Sequence, residues 1–163
     1  MATPTTLPAS FADGNILTAL QMNNLRGAFR VLQVVSAEFS TSTATTSTSY
    51  VTTGLTATIT PSATSSKILV VMSLPIQCPS GQNTFVTLFR GTVAGTNLAG
   101  ANGFALVSCG ANVLNESVAI SYVDSPNTTS AQAYTVGMKV SGGTATAFLS
   151  TTTGGISLME ISA

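Results

Sequence analysis

The chain has 163 residues, enough for one ordinary domain or a small domain with a tail. Five basic and five acidic residues make it 6% charged with a formal net charge of zero, where a soluble domain typically carries roughly 25% charged residues. Such a chain has no long-range field to gather nucleic acid or anionic lipid, and with no His it lacks the commonest general base and metal ligand.

The apolar content, 44% with a mean hydropathy of +0.44, is too high for a disordered chain. No apolar run approaches the ~20 residues of a membrane-spanning helix, because the longest, residues 68–76, is broken by Ser73 and Pro75. Membrane insertion is therefore not expected. The start, Met1-Ala-Thr-Pro-Thr-Thr, has neither the basic residues nor the apolar stretch of a signal peptide. Cys78 and Cys109 make no disulfide framework or zinc site and read as small buried thiols. So few charges do little to keep a protein monomeric, which suggests that partners cover much of its surface.

Residues 1–11, with Pro4 and Pro8 among Thr, Ala and Ser, read as an extended arm. A helix start follows. Thr18 and Gln21 are spaced as a capping box, and Leu17 and Met22 as its hydrophobic staple. Met22, Leu25 and Phe29 form an apolar stripe at helical spacing that ends near Gly27. About two turns are marginal alone, so the stripe must dock, either on its own domain or on neighbouring copies and the structure it is attached to. The reading divides the chain into an attachment segment, residues 1–30, and a β-sandwich domain, residues 31–163.

From Val31 the period changes to two. Residues 31–39 predict a strand that is apolar on both sides at its start. The almost pure Ser/Thr run 40–49 is either an edge strand with a hydroxyl face or a mobile loop. Leu55, Ala57 and Ile59 alternate with Thr56, Thr58 and Thr60, a half-buried strand with a threonine face. Residues 67–76 are β-branched and apolar on both faces, as in a central strand. Further strands are expected at 85–90, 104–108, 118–123, 133–140, 144–149 and 156–161. Turn clusters separate them at 61–66, 79–83, 124–127, 141–143 and 154–155. Some eight or nine short strands with regular punctuation and no intervening helices predict a mainly β fold, an antiparallel jelly-roll-like sandwich.

Catalytic chemistry finds little to work with. A glycosidase needs two carboxylates within roughly 5–10 Å. Glu116 and Asp124 bracket one expected strand and would lie ~26 Å apart at about 3.3 Å per residue. Asp124 opens a turn at Asp-Ser-Pro-Asn. Glu160 shares a strand face with Ile156 and Leu158, as a buried or interface carboxylate would. Lys67 and Lys139 read as solvated strand residues. The acidic residues do not cluster for calcium, and the glycines between 91 and 103 lack the Lys-Ser/Thr of a phosphate loop. No catalytic residue, cofactor or metal ligand is expected.

Residues 7–26, with Gly14-Asn-Ile-Leu-Thr-Ala-Leu-Gln-Met-Asn23 at their centre, resemble the attachment segment of bacteriophage virion proteins, notably tail fibres. The remainder resembles a β-rich module of phage fibre and head-surface proteins. The likeness rests on residues 53–70, Leu88-Phe-Arg-Gly91, residues 123–130 with Tyr134, and residues 156–161. The resemblance implies a trimeric jelly-roll knob located on the virion, fixed to capsid or tail by its N-terminal segment. Almost none of the long shaft usual in such fibres is present. Two roles follow from the resemblance. The first is a structural attachment, decoration or cement protein that docks through Leu7, Phe11, Leu17, Thr18, Gln21, Met22, Leu25 and Phe29. The alternative is a receptor-binding module whose loops recognise a host-surface glycan or protein, with Gln82, Asn83, Asn97, Asn102 and Asn112 as candidate contacts.

Overall fold

Period-two alternation governs residues 31–162, which the computed structural model describes. The expected arm and helix, and with them Leu7, Phe11, Leu17, Thr18, Gln21, Met22, Leu25 and Phe29, lie outside the described residues.

Eleven strands form two antiparallel sheets. They are β1 (Val31–Phe39), β2 (Thr43–Thr45), β3 (Val51–Ile59), β4 (Lys67–Cys78), β5 (Asn83–Arg90), β6 (Thr96–Asn97), β7 (Ala105–Ser108), β8 (Leu114–Asp124), β9 (Gln132–Val140), β10 (Ala145–Ala147) and β11 (Gly154–Ile161). The described residues contain one 3-10 turn, Leu149–Thr151, and no α-helix. The count exceeds the eight or nine expected through β2, inside the Ser/Thr run, and β6, which span three and two residues, too few to register as a period; β10 fills three residues of the strand expected at 144–149. β2 answers the question left open over the Ser/Thr run: three of its residues pair with β10 and the rest are loop.

In the six-stranded sheet β4 is central, as expected. β8 runs along one edge, while β11 and then β10 share the other; β1 flanks β11 and β2 flanks β10. In the five-stranded sheet β9 lies between β3 and β5, and β7 and β6 divide the outer edge of β5. The core lies between the sheets. Ile68, Val70, Met72, Leu74 and Ile76 of β4 face Leu55 and Ile59 of β3, Val86 and Leu88 of β5, and Val136 and Met138 of β9. Every one of these is at most 3% exposed, so each contributes roughly 1.5–3 kcal/mol of burial.

Two sequence expectations are corrected. β4 is not buried on both faces: Val71 is 40% exposed and Ser73 and Lys67 are exposed, so only the even-numbered residues face the core. Gly154 and Gly155 are not a turn but the first residues of β11, paired with Phe39 and Glu38 of β1. At that end of the sandwich Phe39 meets Phe148 edge-on, ring centroids 5.3 Å apart. The Phe39 ring leaves no room at Gly54, where a Cβ would lie 2.5 Å from its Cζ and where φ is +91°. A glycine at this bulge of β3 is thus required twice over.

Candidate functional site

The outward residues of β1, β11, β4 and β8 form a continuous surface. Val34, Met159, Leu69 and Val123 stand in one cross-strand row spanning all four strands. Val71 lies in the next row beside Ser36, Ser157 and Ser121, and Val31 and Ile161 flank the first row on its other side. Val31, Val34, Val71 and Val123 are 53%, 56%, 40% and 49% exposed, half of the large apolar side chains that reach solvent among the described residues. Lys67 and Glu38 are the charges on these rows, six residues apart along β4 and hence about 20 Å from each other. A flat, nearly uncharged face with an aliphatic row is chemistry for packing against another protein surface.

The carboxylates do not converge. Asp124, 3% exposed, accepts hydrogen bonds from Arg90 Nε at 2.8 Å and Tyr134 Oη at 2.7 Å, and Arg90 Nη2 bonds its other oxygen. Burial pushes the Asp124 carboxyl up, but the bonds from Arg90 and Tyr134 outweigh it and hold the group below its ordinary range. The same burial, with the Asp124 charge, pushes the Tyr134 phenol well up.

Glu160 is fully buried, as its place beside Ile156 and Leu158 predicts. Its donors include the Ser62 backbone N–H at 2.7 Å, the Ser62 hydroxyl at 2.6 Å, Gln33 Nε2 at 2.6 Å and the Ser66 side chain. No Arg is among them. Burial raises this carboxyl, yet the hydrogen bonds from Ser62, Ser66 and Gln33 bring it down to about 2. Both acids therefore act as structural pins. Glu116 is exposed beside Asn115, Ser117 and Leu149 at a surface depression of about 430 Å³, but no second carboxylate faces it there. Among the described residues, no group of three or more His, Cys, Asp or Glu could hold a metal ion. Cys78 and Cys109 are free and buried, as expected.

The five candidate loop residues fall into two groups. Gln82 and Asn83 belong to a turn tied to the 110–111 loop next to Asn112, through Gly81 N to Gly110 O at 2.7 Å and Ser80 Oγ to Ala111 O at 2.7 Å. Asn97 and Asn102 belong to the 91–103 loop on the five-stranded sheet. Asn97 holds that loop together, since its Oδ1 accepts from Thr87 Oγ1 at 2.7 Å and from Ala99 N, while its Nδ2 donates to Gly100 O. Gln82 Oε1 likewise accepts from Ser141 Oγ. Asn102 and Asn112 are exposed.

Sequence reasoning missed two surfaces. The apolar row was hidden because Leu69 and Val71 are as aliphatic as their neighbours Ile68, Val70 and Met72, so periodicity over that stretch of β4 could not tell its faces apart. The second surface surrounds Lys139, which read as a solvated strand residue but lies over the rings of Tyr50 and Phe85. Comparison with the models of known protein families and with curated proteins returns no match.

Proposed function

We propose that this chain is a non-enzymatic structural protein of a bacteriophage virion. In this reading it is a trimeric knob anchored to capsid or tail by residues 1–30, and it decorates or stabilises the particle. The observation that carries the reading is the outer face of the six-stranded sheet, with its aliphatic row Val34, Met159, Leu69 and Val123 and its scarcity of charge. Symmetric copies bury such a face without needing a different partner.

Strand order supports a jelly-roll reading. Set aside the three shortest strands, and the remaining eight pair as first–eighth–third–sixth in one sheet and second–seventh–fourth–fifth in the other. A jelly roll, eight strands in two Greek keys, accounts for this order. The likeness of residues 7–26 to phage attachment segments supplies the virion context.

The test is the mass of the full chain in solution, by gel filtration with light scattering. A trimer is expected at micromolar concentration. The double variant V34K/V123K, which places two ammonium groups in the apolar row, should run as a monomer with an unchanged circular dichroism spectrum. A monomeric wild type, or a folded double variant that is still trimeric, overturns the assignment of this face.

A further inference from the structure

We propose that the depression beside Tyr50 and Lys139 binds a carboxylate-bearing saccharide. It lies on the solvent side of the five-stranded sheet, far from the apolar row, and has a volume of about 420 Å³. Lys139 projects outward from β9, opposite Phe85 of β5 in register. Its ammonium lies 4.7 Å from the Tyr50 ring centroid and 5.0 Å from that of Phe85. It donates to the Ala101 carbonyl at 2.6 Å, and the Tyr50 hydroxyl is directed at the same oxygen at 3.4 Å. Two donors thus converge on one point. An ammonium carries three N–H groups, so Lys139 has capacity beyond the Ala101 bond.

Among the described residues no carboxylate compensates its charge: the ion pair is Arg90–Asp124, and the exposed carboxylates Glu38 and Glu116 belong to the other sheet. A ligand carboxylate can therefore accept from Lys139 Nζ through a charge-assisted hydrogen bond, and from Tyr50 Oη once that hydroxyl turns its single proton from the 3.4 Å contact with Ala101 O to the ligand. The remainder of the depression suits a pyranose ring. Val93 and the Tyr50 ring offer apolar surface to its C–H face above the buried Phe89, and Thr48 and Ser49 bring hydroxyl-bearing side chains to the rim. Phe89 braces Tyr50 edge-on at 5.7 Å, which fixes the phenol.

The position of the Tyr50 hydroxyl depends on Gly103. That residue has φ of +72°, and a Cβ there would run into the Val86 carbonyl oxygen of β5 and lie 2.7 Å from Tyr50 Oη. The 91–103 loop is thus shaped to admit the phenol, and the backbone of this loop presents the Ala101 carbonyl to both donors.

The experiment is a titration of the full chain, followed by NMR, with glucuronate, glucose and acetate as probes. Glucuronate should bind about tenfold more tightly than glucose, the worth of one charge-assisted bond pair, and about tenfold more tightly than acetate, the worth of the ring contacts that acetate lacks. Lys139→Gln should remove that preference, Tyr50→Phe should weaken glucuronate binding about threefold, and Lys139→Arg should retain most of it. Lys67→Gln, on the other sheet, should change nothing. Thermal unfolding of each variant establishes that it is folded, and the Tyr50→Phe and Lys139→Arg variants carry the test if Lys139→Gln is not. Equal binding of glucose and glucuronate overturns the role of the charge. Equal binding of acetate and glucuronate overturns the saccharide, leaving an anion site alone. No binding of any probe, or an unaltered Lys139→Gln variant, overturns the site. None of these outcomes depends on the oligomeric state, so this proposal and the virion reading stand or fall separately.

Discussion

Substituting Glu160→Gln tests whether the buried carboxylate pins β11 to β1 and to the 61–66 turn. Gln preserves the shape but converts one acceptor oxygen into a donating NH2. If the amide oxygen faces Ser62, the NH2 meets Gln33 Nε2, donor against donor. Turning the Gln33 amide around does not repair this, because Gln33 Nε2 also donates to the Thr60 carbonyl at 2.6 Å. The opposite orientation sets the NH2 against the Ser62 N–H and hydroxyl, both now at 2.6–2.7 Å from one oxygen. At least one charge-assisted bond is lost either way, and the remainder become neutral, so the expected cost at neutral pH is about 2–3 kcal/mol.

The pH dependence supplies an independent check. The folded carboxyl titrates near 2, depressed from the ordinary 4.5. Its stabilising effect is therefore complete above about pH 4.5 and is lost as pH falls toward 2. The amide of the E160Q variant has no proton to gain there, so the gap between wild type and variant should narrow between about pH 5 and pH 3. Asp124 is depressed in both proteins and cancels in the difference. Urea unfolding at one fixed protein concentration, followed by far-ultraviolet circular dichroism at several pH values, reads this gap. A variant within about 0.5 kcal/mol of wild type at pH 7, or a gap that is constant down to pH 3, refutes the pinning role.

Arg90→Met should destabilise the fold by about 3 kcal/mol, because it leaves the Asp124 carboxylate buried with the Tyr134 hydroxyl as its main side-chain donor; denaturant unfolding measures it, and a loss under about 1 kcal/mol contradicts the account. Deleting residues 1–30 should leave the sandwich folded, with the wild-type circular dichroism spectrum, but absent from purified particles. Truncated protein that still co-purifies with virions refutes attachment through that segment.

The fold class was legible because alternation is a local property. The threonine face of β3 follows from Leu55, Ala57 and Ile59, and these three are indeed buried while Thr56 and Thr58 are exposed. Where both faces of a strand carry the same chemistry, that signal vanishes. Val70 and Val71 are identical in the sequence, yet one is fully buried and the other 40% exposed; only the pairing of the sheets decides which. Glu160 was readable as buried from its parity with Leu158, but its donors were not, since Ser62 lies 98 residues away in the chain. The same holds for Lys139 and Tyr50. They come together because β3 and β9 pair, with Val51 opposite Met138. The Ser/Thr run gave no strand boundary because its residues suit edge and loop alike. Gly154 and Gly155 misled in the other direction: a Gly-Gly pair signals a turn locally, whereas here it lets β11 run beside Phe39 and Phe148.

The partnership of β1 with β11 joins the first strand of the sandwich to the last. During synthesis, β1 leaves the ribosome more than a hundred residues ahead of the strand that completes its pairing. Until β11 emerges, β4 is paired along its β8 edge but on the other edge only at Ile76 and Gln77, through β10, and Val70 and Met72 lack their lateral neighbours Leu158 and Ile156. Such a topology of distant contacts folds slowly and exposes apolar strands while it waits. A chain interrupted before residue 154 would be left with an open edge from Lys67 to Ser73 of its central strand, ready to pair with the wrong neighbour.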